Sequence, residues 1–189
     1  MILKLLLVFK KTLLPFIILF IIGCSAEDSS SNKSSWSLSD VMEYPKGNQL
    51  SRAEDGVILD DGTLIVADQR HGLAKIDLSG NVTPFGNFEA LEYAHNPPKV
   101  ESGPNGVHLS PDKKFVLTAD VFNGKIYKSS IESNSTEILY SHEYGVNTAR
   151  EDSTGAVWFT QSTENQNEER VFEALERAIP DSALYRISS

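Results

Sequence analysis

The sequence predicts an all-β fold of blade-like repeats, the organisation of a β-propeller. Three observations predict it: one strand–turn–strand pattern occurs three times, its spacing is 40–50 residues, and Gly, Asp and Pro bound every apolar run. The first copy runs Asp55-Gly56-Val57-Ile58-Leu59, the turn Asp61-Gly62, then Leu64-Ile65-Val66-Ala67-Asp68. The second runs Asn105-Gly106-Val107-His108-Leu109, the turn Pro111-Asp112, then Phe115 to Asp120. The third opens at Asn147-Thr148-Ala149 and continues through Gly155 into Val157-Trp158-Phe159-Thr160-Gln161.

Each element has a chemical reason. Alternating β-branched and aromatic residues suit a pleated strand, because branched side chains pack well on its surface. Gly62 accepts a positive φ, and Pro111 presets a turn. A further strand follows in each copy, at Leu73–Ile76, Lys125–Lys128 and Ala183–Ile187. Gly56 to Gly106 spans 50 residues and Asn105 to Asn147 spans 42, periods that fit propeller blades of about four strands. A β-sandwich also supplies short strands, but it gives no reason for one order of elements to recur three times.

The chain has 189 residues, 40% apolar and 23% charged, ordinary globular usage for one domain. Residues 1–23 stand apart. Lys4, Lys10 and Lys11 precede an apolar run from Leu13 to Ile22 that ends at Gly23-Cys24, the pattern of a secretory signal and too short to span a bilayer. Its removal takes three lysines and shifts the formal charge from −9 to −12. So acidic a surface repels a phosphate backbone, which excludes nucleic acid as a partner. Cys24 is the single cysteine, so a disulfide framework is excluded too. Residues 24–39, rich in serine, read as a flexible tether, and residues 40–189 as a partial propeller with repeats near 50–90, 103–140 and 145–189.

Ile21-Ile22-Gly23-Cys24 resembles a bacterial lipobox, in which the cysteine is acylated and becomes the first residue; acyl chains anchor because each buried methylene contributes about 0.8 kcal/mol. Gly145-Val146-Asn147, Val157-Trp158-Phe159-Thr160-Gln161 and Leu184-Tyr185-Arg186-Ile187 resemble a stretch of the gluconolactonase family. Senescence marker protein, luciferin-regenerating enzyme and, more distantly, strictosidine synthase share that superfamily. The resemblance covers about residues 50–189. It implies a propeller of the six-bladed calcium-dependent phosphotriesterase-like type, here incomplete at about three blades, with one short helical insertion. It also implies one divalent cation, Ca²⁺ with Zn²⁺ or Mn²⁺ as alternatives, and hydrolysis of a lactone or small ester.

Carried onto this sequence, the resemblance makes Glu54 or Asp55 the first cation ligand. Glu54 matches in residue type, whereas the repeat sets Asp55 level with Asn105 and Asn147. Asn147 matches the family's Pro-Asn-Asp asparagine as a cation or substrate contact. Asn105 reads as the channel-facing turn of the second blade, and His108 as a residue turned to the channel; both are candidates for substrate binding. The resemblance also has gaps. Thr148 and Gln161 stand where the family has aspartates, and the later ligand and general base have no counterpart, so no catalytic residue is assigned. Metal-dependent lactone hydrolysis needs a Lewis acid and a base to activate water, and this chain alone is expected to be inactive.

The four histidines, His71, His95, His108 and His142, lack zinc-motif spacing and read as polar or turn residues. Val171, Phe172, Leu175 and Ile179 recur at helical spacing over Glu168–Ile179, with Pro180 as the stop. That insertion is either a lid over the channel or a helix packed on the blade rim. Asn87–Ser102, with Phe88, Tyr93 and Pro97-Pro98, is either a channel-mouth loop or an interblade connection.

The expectation is therefore an exported protein, lipid-anchored through Cys24 in a bacterial cell envelope. Its leading reading is a truncated lactone hydrolase of the gluconolactonase type, acting on a lactone or sugar-derived ligand. The alternative is a non-catalytic propeller that binds a sugar, peptide or protein. Open blade edges also predict self-association, including two half-rings closing into one.

Overall fold

The computed structural model describes residues 41–95, 101–164, 176–178 and 180–188. The signal segment and the whole tether, Cys24 included, lie outside the described residues, as does most of the insertion, in which Glu176 and Arg177 are helical.

Eleven strands form three antiparallel sheets among the described residues. The first holds β1 (Gly56–Ile58), β2 (Leu64–Asp68), β3 (Gly72–Ile76) and β4 (Val82–Phe85) in the order β1-β2-β3-β4. The second holds β5 (Pro104–Leu109), β6 (Phe115–Asp120), β7 (Lys125–Ser130) and β8 (Thr136–Ser141) in the order β5-β6-β7-β8. The third holds β9 (Val146–Glu151), β10 (Val157–Gln161) and β11 (Ala183–Ile187), again consecutive. Meandering sheets repeated along the chain are propeller blades, so the all-β, three-blade expectation is borne out. β4 and β8 are strands that the repeat did not name; Pro84 is tolerated in β4 because that strand lies at a sheet edge.

The first hairpin of every blade turns on one device. Gly62 (φ 84°), Lys113 (φ 59°) and Gly155 (φ 83°) each hold the left-handed region, and Asp61, Asp112 and Asp152 accept nearby backbone N–H groups from Thr63, Lys114 and Thr154. Glycine takes that conformation freely, whereas Lys113 takes it at a steric cost.

Blades are held together by their faces. Ile65, Ala67, Leu73, Phe85 and Phe88 from the first blade form one buried cluster with Val107, Val116 and Tyr127 from the second. Leu117, Ala119 and Ile126, on the opposite face of the second blade, form another with Val146, Ala149, Val157 and Phe159 of the third. Each such Val, Leu, Ile or Phe side chain contributes about 1.5–3 kcal/mol when removed from water. Phe88 sits in a short 3₁₀ turn, Phe88–Leu91, edge-on to Tyr93 (5.4 Å) and Tyr127 (4.9 Å). The start of the Asn87–Ser102 excursion is thus an interblade connection; residues 96–100 lie outside the described residues.

Close backbone approach fixes how the second and third blades meet. A Cβ added at Gly145 would lie 1.8 Å from the carbonyl oxygen of Val121, a separation no side chain tolerates. Gly145→Ala is therefore expected to lower the unfolding free energy by about 3 kcal/mol, read by urea denaturation. An unchanged midpoint would show that these two backbones are not in contact.

Candidate functional site

The site begins with two buried charges. Asp68 and Asp120 end β2 and β6, and both are fully buried. A carboxylate removed from water costs several kcal/mol unless donors replace its hydration. Asp68 Oδ1 accepts the backbone N–H groups of Ser51 and Arg70, both at 3.1 Å, while Oδ2 meets His71 Nδ1 at 2.8 Å. Asp120 Oδ1 accepts Gly103 (2.9 Å), Phe122 (2.9 Å) and Asn123 (3.0 Å), and Oδ2 accepts Asn123 Nδ2 at 3.0 Å. Burial pushes the Asp120 carboxyl upward; these N–H groups and the charge of Arg52 pull it back. Each aspartate thus ties the turn after its strand to the segment leading into the innermost strand. In the third blade the equivalent residue is Gln161, whose Oε1 meets His142 Nε2 (2.9 Å) and Tyr185 Oη (3.1 Å), and whose Nε2 donates to Asp181 O (2.8 Å).

Sheet register then decides which residues stand level. Gly56, Val107 and Ala149 oppose Val66, Thr118 and Phe159, each two residues before its clamp residue. Between that level and the clamp, the second and third inner strands each carry one extra residue: Pro104 faces Asp120 and Val146 faces Gln161, which sets the bulges at Asn105-Gly106 and at Asn147. In the first blade Ala67 N–H donates to Asp55 O at 2.9 Å. Asp55 therefore stands level with Asn105-Gly106 and Asn147-Thr148, and Glu54 with Pro104 and Val146.

A polar chain crosses the three inner-strand starts. Arg52, held at φ 48°, pairs with Glu54 Oε1 at 3.2 Å and donates to Pro104 O at 3.3 Å. Its Nη2 lies 3.5 Å from Asn105 Oδ1, and its guanidinium sits 5.6 Å from the Phe122 ring centre. Asn105 Nδ2 donates to Asn147 O at 3.1 Å. Glu54, Asn105 and Asn147 are therefore connected, with Arg52 as the link that sequence reasoning missed. Its local setting, Ser51-Arg52-Ala53-Glu54, looks like any polar surface stretch; the contacts that distinguish it reach 52 and 53 residues along the chain.

Asp55 and His108 bridge blades beside that chain. Asp55 Oδ1 accepts its neighbour Gly56 N–H at 2.8 Å, and Oδ2 accepts Val107 N–H from the next blade at 3.0 Å. His108 is half-buried, with Nε2 2.6 Å from Thr148 Oγ1 and Nδ1 3.3 Å from Arg150 Nη2. Arginine only donates, so Nδ1 accepts, and the proton sits on Nε2 facing Thr148. Two of the other histidines take structural partners: His71 sits on Asp68 and His142 on Gln161. A cavity of about 690 Å³ lined by Arg70, His71, Phe88, Tyr93 and His95 lies apart from Glu54, Asn105 and Asn147.

The donor set does not fit a divalent cation as arranged. Hard cations want six to eight oxygens free to coordinate. Here the Glu54 carboxylate faces a guanidinium, both Asp55 oxygens take N–H groups, and the side-chain oxygen of Asn105 faces Arg52. Among the described residues no group of three or more His, Cys, Asp or Glu side chains could hold a metal ion. Arg52 places its positive charge between Glu54 and Asn105.

His108 makes the site sensitive to acid. Burial chiefly, then the Arg150 charge, lowers its pKa below the ordinary 6.5, with Asp55 opposing. A histidine whose folded pKa is depressed favours the folded state when neutral, so its contribution is intact above about pH 6.5 and fades as pH falls below that value. The melting temperature is expected to fall between pH 7 and pH 5, and His108→Gln should flatten part of that slope. An identical slope in the variant would remove His108 from the titration.

No protein-family model matches the chain, and no curated protein matches it either. Solved structures do. The structure of luciferin-regenerating enzyme aligns over 74% of this chain and 46% of its own, with 14% identity and a TM-score of 0.52. A structure named for gluconolactonase aligns over 75% and 47%, with 11% identity and a TM-score of 0.48. Streptogramin B lyase aligns over 74% and 38%, with 16% identity and a TM-score of 0.44. The chain thus spans less than half the length of each of these structures. The resemblance read from the sequence holds as a likeness of fold: these are three blades of the architecture seen in luciferin-regenerating enzyme.

Proposed function

We propose that this chain contributes three blades to an exported, lipid-anchored propeller that binds a small sugar-like ligand at the inner-strand rim without metal-dependent catalysis. One observation carries the reading: the Arg52 guanidinium stands between Glu54 and Asn105, where a metal-dependent relative would need open oxygens. The Asn105 amide, a guanidinium and the aromatic ring of Phe122 are groups suited to the hydroxyls and ring faces of a sugar or sugar acid. Anchoring follows from the lipobox-like run ending at Cys24, and placement in a bacterial cell envelope follows from anchoring.

A second reading is metal-dependent hydrolysis of a lactone or small ester. It is favoured by the register that brings Asp55, Asn105 and Asn147 level, and it requires Arg52 to release both Glu54 and Asn105. Thermal unfolding of the full chain separates the two. Neither Ca²⁺ nor a chelator is expected to move the melting temperature, whereas a sugar or aldonic acid at a hundred times its Kd should stabilise the fold by about 2.7 kcal/mol. Arg52→Gln should abolish that ligand response. A saturable Ca²⁺ stabilisation lost in Glu54→Gln would replace this proposal with the second reading.

Lipidation has its own check. Globomycin, which blocks the lipoprotein signal peptidase, should accumulate the uncleaved precursor in cells, and Cys24→Ser should do the same without the drug. Unaltered processing in both cases would refute acylation at Cys24.

A further inference from the structure

The cavity of about 690 Å³ lies where the first blade meets the β7–β8 turn of the second, and its size suits a small molecule. Packing sets its wall. Phe88 is 3% exposed, edge-on to Tyr93 and Tyr127, and seated against Gly72 and Gly86, where an added Cβ would lie 2.5 and 2.8 Å from its ring. Tyr93 Oη donates to Gln69 O at 2.9 Å, which ties the residues after the 3₁₀ turn to the first blade. Three polar groups on the lining are each held at one atom and free at another. Asp68 Oδ2 takes His71 Nδ1 at 2.8 Å, so Nε2 is the ring nitrogen left to the cavity, an acceptor while the imidazole is neutral. In the second blade the same position carries Asn123, whose Nδ2 is shared among Ser102 Oγ, Asp120 Oδ2 and Tyr127 Oη. Gly86 N–H donates to Asn134 Oδ1 at 2.9 Å and leaves the Nδ2 protons of that amide unused. The Arg70 main-chain N–H donates to Asp68 Oδ1 at 3.1 Å, while its exposed guanidinium makes no ion pair or hydrogen bond among the described residues. Glu89 and Glu92 bring two carboxylates to the same lining.

We propose that this cavity binds a free α-amino acid with an apolar side chain. The pairing of signs selects that class. Arg70 and Asn134 offer donors to a carboxylate, which a guanidinium fork engages strongly. Glu89, Glu92 and His71 Nε2 offer acceptors to an ammonium group, and Pro84 and Tyr93, backed by Phe88, give the side chain an apolar wall. A plain carboxylic acid leaves the two glutamates unanswered, and a plain amine leaves Arg70 unanswered; a molecule bearing both charges answers both. Groups locked from behind, as His71 is by Asp68 and Asn134 by Gly86, hold their free atoms in place before a ligand arrives. The cavity is separate from the inner-strand rim, so it stands whatever that rim binds.

Calorimetric titration of the full-length chain in detergent with L-phenylalanine and L-leucine tests this. Saturable binding of at least one is expected, and 3-phenylpropanoate and phenethylamine, which each lack one charge of phenylalanine, should bind about tenfold more weakly or worse. Arg70→Gln should weaken amino-acid binding by about the same factor, and so should His71→Asn, which installs the residue the second blade uses; both variants should keep the parent's circular dichroism spectrum. Glu89→Gln combined with Glu92→Gln should erase the advantage of phenylalanine over 3-phenylpropanoate, while Arg52→Gln, at the rim, should change nothing. Absence of saturable heat with both amino acids would overturn the proposal. Equal affinity for 3-phenylpropanoate and phenylalanine in the parent would overturn the amino-acid assignment, and binding that survives Arg70→Gln but is lost in Arg52→Gln would move the ligand to the rim.

Discussion

Everything at the inner-strand rim depends on carboxylates that are denied water. Asp68 and Asp120 are fully buried, and a buried charge is tolerable only where donors converge on it. In this fold the donors are backbone N–H groups from two directions, the turn after the strand and the segment leading into the blade's innermost strand, joined by the side chains of His71 and Asn123. That geometry makes each aspartate a hinge pin between the outgoing and incoming chain. By holding Ser51, the first clamp fixes where Arg52 starts; by holding Gly103, the second fixes where Asn105 starts. A rim built from loop residues is thereby positioned by the sheets. The third blade departs from this rule. An amide oxygen carries less charge than a carboxylate, and Gln161 gathers side chains, His142 and Tyr185, in place of several backbone donors.

The blade architecture was legible in the sequence because blades are local. Strand, turn and strand lie within some fifteen residues, and β propensity and turn chemistry act at that range. β4 and β8 were harder to see, since Val-Thr-Pro-Phe and Thr-Glu-Ile-Leu-Tyr-Ser alternate weakly and both lie at sheet edges. The bulges at Asn105-Gly106 and Asn147 were not legible, because an extra residue in one strand carries no signature in residue type. Arg52 was invisible for a different reason: a long-range partner cannot be read from local composition.

Gln161 and Thr148 connect the two kinds of information. As letters they are departures from an expected pattern of carboxylates. In space each has a partner that explains it, Gln161 beneath the His142–Phe159–Tyr185 aromatic group and Thr148 against the imidazole of His108. A carboxylate at either place would face a different electrostatic problem. Thr148 accepts the Nε2 proton of His108 as a neutral group and leaves the imidazole uncharged; an aspartate there would draw the imidazole toward its protonated form. The departures are coherent with a rim whose fixed positive charges are Arg52 and Arg150.

A guanidinium and a divalent cation solve the same problem differently. Both draw oxygens from separate blades toward one point, but a metal coordinates six or more ligands and releases them to chelators, whereas Arg52 is covalently part of the chain and directs its bonds in a plane. Stacking beside Phe122 and donating to Pro104 O spend its reach on joining the first blade to the second. The consequence is a site that is assembled by folding alone. Its charge is also different in kind: a metal leaves coordination positions open to polarise a bound carbonyl, while a guanidinium already engaged by a carboxylate, a main-chain carbonyl and an amide offers hydrogen bonds and little Lewis acidity.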